Sequence, residues 1–339
     1  MAQQDADRTA RLRAADPPPG RFSTGAWPYA LLVISAFILA SNHIVARTVQ
    51  DSLPPMGLGF WRIMVASMVL LPFYWRPFIE AWPLICKHWK LLLVMGAALA
   101  PLGNAAVYLA YNFTTAINGG IVATVQPVAT VLLSYFLLSE FINRAQAMGI
   151  AVAASGVLVI ISAGDIDVLL SFRPNIGDLI MLAAMFGFAV HNVLLRRLPK
   201  GLRGAVILLS VQMFGAMVIL PIYIFEMIIY KPVPLTLEAF TTIAWIGVVV
   251  GVGAVASMNT AVLALGPNKA SMSNYMRAAF TTILAIVILG ENLRPFHIVA
   301  LALVFIGIFL MGRGRHSPPP SAAPEKAEPP AGQSGSRTA

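Results

Sequence analysis

Ten runs of mostly apolar residues follow one another along the chain, separated by short links that hold the prolines and most of the charges. Crossing the hydrocarbon core of a bilayer takes about 20 such residues in helical form. The pattern predicts helices over about 27–47, 57–75, 90–111, 118–138, 146–164, 177–196, 204–225, 239–263, 269–289 and 295–312. Proline punctuates the series: Pro54-Pro55 follows the first run, Pro232 and Pro234 the seventh, and Gly266-Pro267 the eighth. The short links make neighbouring helices antiparallel.

Composition agrees with that reading. Apolar residues make up 58% of the 339 residues and charged residues 11%, against about 25% charged in a soluble domain. With so few charges a soluble fold of this size would not cover its surface. The expected class is therefore all-α and integral to the membrane, with the lipid bilayer as the first partner.

The formal net charge is +9. Lys and Arg are spread between the apolar runs and in the tails, with no basic stripe or aromatic platform, so nucleic acid is not an expected partner. Their distribution reports orientation instead. The side bearing the N-terminus collects fifteen: Arg8, Arg11, Arg13, Arg21, Arg76, Lys87, Lys90, Arg144, Arg196, Arg197, Lys200, Arg203, Lys269, Arg313 and Arg315. The other side has four: Arg47, Arg173, Lys231 and Arg294. By the positive-inside rule both termini face the cytoplasm, and the expected location is the inner (cytoplasmic) membrane. Residues 1–26 read as a disordered cytoplasmic leader and 313–339 as a disordered tail. Cys86 is the single cysteine, which excludes an internal disulfide and a thiolate metal cluster. No cofactor or metal is expected.

The chain repeats itself. A shift of 149 carries Met64, Met68, Leu71 and Pro72 onto Met213, Met217, Leu220 and Pro221, and Arg47 onto Arg196. A shift of 151 carries Leu138 and Glu140 onto Leu289 and Glu291, and Gly156 onto Gly307. The two units are set at 27–165 and 166–312, five helices each. An odd number makes the second enter from the opposite side, and such inverted repeats underlie alternating access around a central site.

Certain residues also resemble a known family. Ser41-Asn42-His43-Ile44-Val45-Ala46-Arg47 with Trp61-Arg62, then Val125-Gln126-Pro127, Leu138-Ser139-Glu140 and the helix around Gly156, are similar to an EamA-type unit. Leu289-Gly290-Glu291-Asn292-Leu293 and Gly307 repeat the later part. The resemblance is to the drug/metabolite transporter superfamily and spans about 27–312. It implies a ten-helix permease for small organic solutes, among which bacterial exporters of amino acids and other metabolites are frequent. One departure stands out: the second unit has Arg277-Ala278 where the first has Gln126-Pro127.

Polar groups at membrane depth are costly and tend to face a cavity. Arg277 lies eight residues beyond Lys269, a rise of about 12 Å in a core of about 30 Å. The acids Glu140, Asp165, Asp167, Asp178, Glu226, Glu238 and Glu291 lie at helix ends or in links. Arg277 is accordingly expected to meet a substrate carboxylate or phosphate, for which its fork of donors is suited. The alternative is an arginine tied to backbone carbonyls or snorkelling. Asn274 and Tyr275 are secondary contacts. Under the 151 shift Gln126 and Thr130 answer to Arg277 and Thr281, giving two related polar stripes. Asn42-His43 answers to His191-Asn192 with the order reversed, a candidate for substrate binding or for proton counter-transport, or else for helix–helix hydrogen bonding. Asn104 and Tyr108, with Asn259 opposite Tyr108, complete the expected lining. Tyr111 is expected as an interface anchor, Arg62 as structural or snorkelling, and Glu140 and Glu291 as caps at the start of the following helix.

The leading expectation is a secondary transporter, an exporter in direction. A passive channel and a membrane-embedded enzyme are the alternatives. The enzyme is disfavoured because no H-E-x-x-H, phosphate loop or pair of intramembrane acids occurs. Oligomeric state is not read from the sequence.

Overall fold

A computed structural model of the protein describes residues 26–139, 141–165, 167, 175–199, 204–265 and 272–313. Side chains of Asn259, Val262, Leu263, Met272, Asn274, Tyr275, Gly312 and Arg313 lie outside the described set, as does Glu140.

Ten helices are described: α1 Trp27–Thr48, α2 Pro55–Lys87, α3 Trp89–Ala110, α4 Ala116–Leu138, α5 Arg144–Ile161, α6 Ile176–Leu195, α7 Gly204–Ile229, α8 over 237–265, α9 Met272–Leu289 and α10 Pro295–Arg313. The first eight are long and apolar enough to cross a membrane, and shorter apolar stretches, Met276–Leu289 and Pro295–Met311, lie in the last two. Large apolar side chains point outward all round: Phe73 is 78% exposed, Phe136 72% and Val287 75%. Such a surface is stable only where lipid covers it.

Local sequence sets where helices begin. Thr115, Asn143, Asn175 and Thr236 are N-caps whose side chains accept from backbone amides one turn in, and Asn143 forms a full capping box with Gln146. Proline opens α1 and α2, where its missing N–H costs nothing.

Four helices depart from the simple pattern of straight apolar spans. α2 does not stop near residue 75 but continues to Lys87 through Pro72, Pro77 and Pro83. α3 and α8 each contain a π-helical stretch, Ala98–Ala105 and Trp245–Ala254. Shifting the first by 149 places it inside the second, so the distortion belongs to the repeat. α4 is interrupted between Ala123 and Gln126.

Packing follows the repeat as well. α1 packs against α8 and α9 as α6 packs against α3 and α4, and α3 meets α7 as α8 meets α2. The self-related pairs α2–α7 and α5–α10 pack extensively. On α5–α10 a Cβ on Gly307 would lie 2.5 Å from the Gly149 carbonyl oxygen, and one on Gly156 would lie 2.8 Å from that of Ala300. The 151 shift exchanges these two contacts, so backbones touch at two symmetry-related points because glycine lacks a side chain there.

Candidate functional site

Between the two repeats lies a cavity of about 370 Å³, walled by α1, α2, α3, α4, α6, α7, α8 and α9. Its walls are apolar except for a few groups. Asn42 and His43 come from α1, Asn104 from the π-helical part of α3, Gln126 from α4, Asn192 from α6 and Arg277 from α9. Arg62 of α2 and Gln212 of α7 join them. No carboxylate is among the described lining residues.

The two arginines are held differently. Arg62 Nη1 donates to Tyr108 Oη at 3.0 Å and to Asn42 Oδ1 at 3.4 Å, while Tyr108 Oη donates to Asn42 Oδ1 at 3.1 Å. This closed triangle ties α1, α2 and α3 together through neutral oxygens. Among the described residues, Arg277 Nη2 donates a single long bond, of 3.4 Å, to the Ala123 carbonyl. That carbonyl is available for a local reason. Residue 127 would normally donate to it, but Pro127 has no N–H. The proline in one repeat thus frees the acceptor that the arginine of the other approaches.

His43 Nδ1 lies 2.6 Å from Tyr111 Oη, and the rings meet edge-on. Tyr111 is fully buried, and its carbonyl accepts from Arg47 Nη1 at 2.6 Å. It is therefore not the interface anchor expected of a tyrosine near a helix end. Ser67 Oγ donates to Gln212 Oε1 at 2.8 Å, leaving the amide N–H groups as what Gln212 offers the cavity.

Six of the expected site residues line the cavity: Asn42, His43, Asn104, Gln126, Asn192 and Arg277. Tyr108 stands one bond behind the wall, on Arg62 and Asn42. Thr130 does not reach it. Its hydroxyl donates to the Gln126 carbonyl at 2.9 Å, as Thr281 donates to that of Arg277 at 2.9 Å. The polar stripes therefore split, one residue in the cavity and the next turned back on its own helix. His191, expected in the lining beside Asn192, is not among the described lining residues, and its Nδ1 is buried without a hydrogen-bond partner among the described residues. The side chains of Asn274, Tyr275 and Asn259 fall outside the described residues.

Arg62 stands in the wall and, of its two expected roles, takes the structural one: it does not snorkel, because the Tyr108–Asn42 pair holds it inward. Gln212 is absent from the expected set, although an amide eight residues into an apolar helix is a visible signal.

The end of the bundle where the even-numbered helices begin is densely bonded. Glu226 of α7 accepts from Met56 N at 3.1 Å and Gly57 N at 2.8 Å. Glu291 accepts from Ala116 N at 2.7 Å and Ile117 N at 2.9 Å. Glu291 is a cap as expected, but of α4 rather than of the helix that follows it. Buried Asp178 accepts from Thr114 Oγ1 and from Asn118 Nδ2, the latter at 3.3 Å. Asn118 Oδ1 in turn lies 2.9 Å from His297 Nε2. His297 Nδ1 accepts from Arg294 N at 2.9 Å, so Nε2 is the nitrogen that carries the proton and donates.

Comparison with known proteins agrees with this architecture. The sequence matches the EamA-like transporter family twice, over residues 26–162 and 175–313. It is 24% identical over 282 residues to the uncharacterized transporter YyaM of Bacillus subtilis (strain 168), covering 82% of this chain and 90% of that one. It is 26% identical over 305 residues to a probable terminal-alkyne amino-acid exporter of Streptantibioticus cattleyicolor, covering 86% and 95%. A probable amino-acid metabolite efflux pump of Escherichia coli (strain K12) is 28% identical over 204 residues, covering 59% and 63%. One solved crystal structure shares the fold, with a TM-score of 0.55 at 18% identity over 85% of this chain and 98% of that one.

Proposed function

Because the chain belongs to the EamA-like transporter family, we propose that it exports a small anionic metabolite by alternating access through the central cavity. It is a multi-pass membrane transporter and not an enzyme. The observation that carries the anionic reading is Arg277. A guanidinium at the centre of a membrane helix costs about 2.5–3.5 kcal/mol on insertion scales. Here it donates one long bond to a neutral carbonyl and lines a cavity without a carboxylate among the described residues. A substrate carboxylate or phosphate would supply a charged, two-pronged partner.

The outward direction rests on the relatives named as an amino-acid exporter and an efflux pump. The orientation, both termini in the cytoplasm of an inner membrane, rests on the bias of fifteen Lys and Arg against four. Alternating access rests on the five-plus-five repeat and its exchangeable packing. In that cycle the Glu226, Glu291 and Asp178 bonds join the two repeats at one end, so they must break when that end opens. Proton counter-transport narrows to His43, which lines the cavity while His191 does not. If His43→Gln leaves the dependence on a pH gradient intact, that coupling is excluded.

Purified protein in proteoliposomes, assayed for exchange of acidic solutes across an imposed gradient, tests the proposal. Exchange-dependent accumulation is expected, and a passive leak would instead mark a channel. Arg277→Gln is expected to weaken apparent affinity strongly and Arg277→Lys less so. Near-normal affinity in both would sink the anionic reading.

A further inference from the structure

We infer that the cavity selects a solute carrying two negative charges, with Arg62 as the second recognition point beside Arg277. The inference rests on the transporter reading above and adds the substrate's charge.

Three observations carry it. First, both guanidiniums line the same cavity, with the His43 imidazole in its wall as well. One solute in that cavity can therefore meet both cations. Second, neither has an anionic partner among the described residues. Arg62 is held by Tyr108 and Asn42, both neutral, and Arg277 by one carbonyl. Each guanidinium has five N–H donors, so, among the described residues, most of the two forks are without a partner and can serve a ligand. Third, the neutral wall leans toward donation. The Asn42 side-chain oxygen already accepts from Arg62 and Tyr108, and that of Gln212 already accepts from Ser67.

A monoanion would compensate one guanidinium and leave the other unpaired in a largely apolar cavity. A zwitterion would bring an ammonium, which has three donors and no acceptor, against two cations and no described carboxylate. A solute with two acidic groups compensates both. A dicarboxylate and a phosphate monoester share this chemistry, and the cavity of about 370 Å³ has room for either.

The test is exchange by wild-type protein in proteoliposomes with matched probes: succinate and glutarate, their monoamides, glycerol 3-phosphate, and alanine as zwitterion. Wild type is expected to exchange a dianion at least about tenfold faster than the monoamide of the same length, the discrimination of one charged hydrogen-bonded contact. Whether the dicarboxylates or the phosphate ester lead identifies the acidic group. Arg62→Gln is expected to collapse the dianion-to-monoamide ratio, and Arg62→Lys to retain it at lower affinity. Arg62 also braces three helices, so thermal stability of the solubilised variants is measured alongside, and the wild-type probe ranking stands even if Arg62→Gln does not fold.

Wild type that prefers a monoamide, or a folded Arg62→Gln with an unchanged ratio, would overturn the inference. If monoamides are exchanged and only Arg277→Gln abolishes exchange, the single-anion proposal survives and the two-cation inference fails. If wild type exchanges alanine and no acidic probe, both fail.

Discussion

Helices α4 and α9 hold the same place in the two repeats, yet one is interrupted and the other runs unbroken from Met272 to Leu289. The cause is one pair of residues. Gln126-Pro127 in α4 withholds an amide and leaves the Ala123 carbonyl exposed, while Arg277-Ala278 in α9 supplies a cation to it. The threonines one turn on behave alike in both. A symmetric scaffold can therefore carry a charge on one side only, and the asymmetry is chemical rather than architectural.

The comparison can be broken most forcefully at Arg277. Replacing it with Gln makes the two helices alike in polarity and should reduce exchange of acidic solutes by about 10- to 100-fold, the range for losing a hydrogen bond to a charged group. Gln126→Ala should cost less than about tenfold in the same assay, since it removes a neutral contact. A comparable effect falls on the scaffold rather than on the substrate. Gly307→Ala places a Cβ about 2.5 Å from the Gly149 carbonyl and should destabilise the α5–α10 contact by about 1–3 kcal/mol. Thermal denaturation in detergent would register it, and Gly156→Ala at the related contact should behave similarly. Glu291→Ala removes the cap on α4 and should cost about 0.5–2 kcal/mol, read in the same way. The smallest expected change sharpens the comparison most. Pro127→Ala restores an amide to pair with Ala123, competes with Arg277, and should lower exchange by only about 2- to 10-fold.

Much of this was legible in the sequence because membrane helices announce themselves by length and polarity. The ten helices, the repeat, and the opposition of Gln126 and Arg277 all followed from apolar runs and constant shifts. Other features left no such mark. The π-helical stretches are apolar apart from Asn104, so an extra residue per turn changes little in the pattern. The continuation of α2 past residue 75 defied its three prolines, which transmembrane helices tolerate when neighbours satisfy the freed carbonyls. Long-range partners were also invisible. Glu291 caps a helix 175 residues away rather than its neighbour, and Tyr111 turns inward to His43 across 68 residues. The choice between the two roles expected of Arg62 was hidden for the same reason, because its inward position depends on Tyr108 and Asn42 from two other helices.

The most direct test of the central claim is exchange of an acidic solute and of its neutral amide, by wild-type protein and Arg277→Gln in parallel proteoliposomes. Wild type should favour the acid by about tenfold or more, and Arg277→Gln should lose that preference. Equal exchange of acid and amide by wild type, or an unchanged preference in Arg277→Gln, would contradict the account.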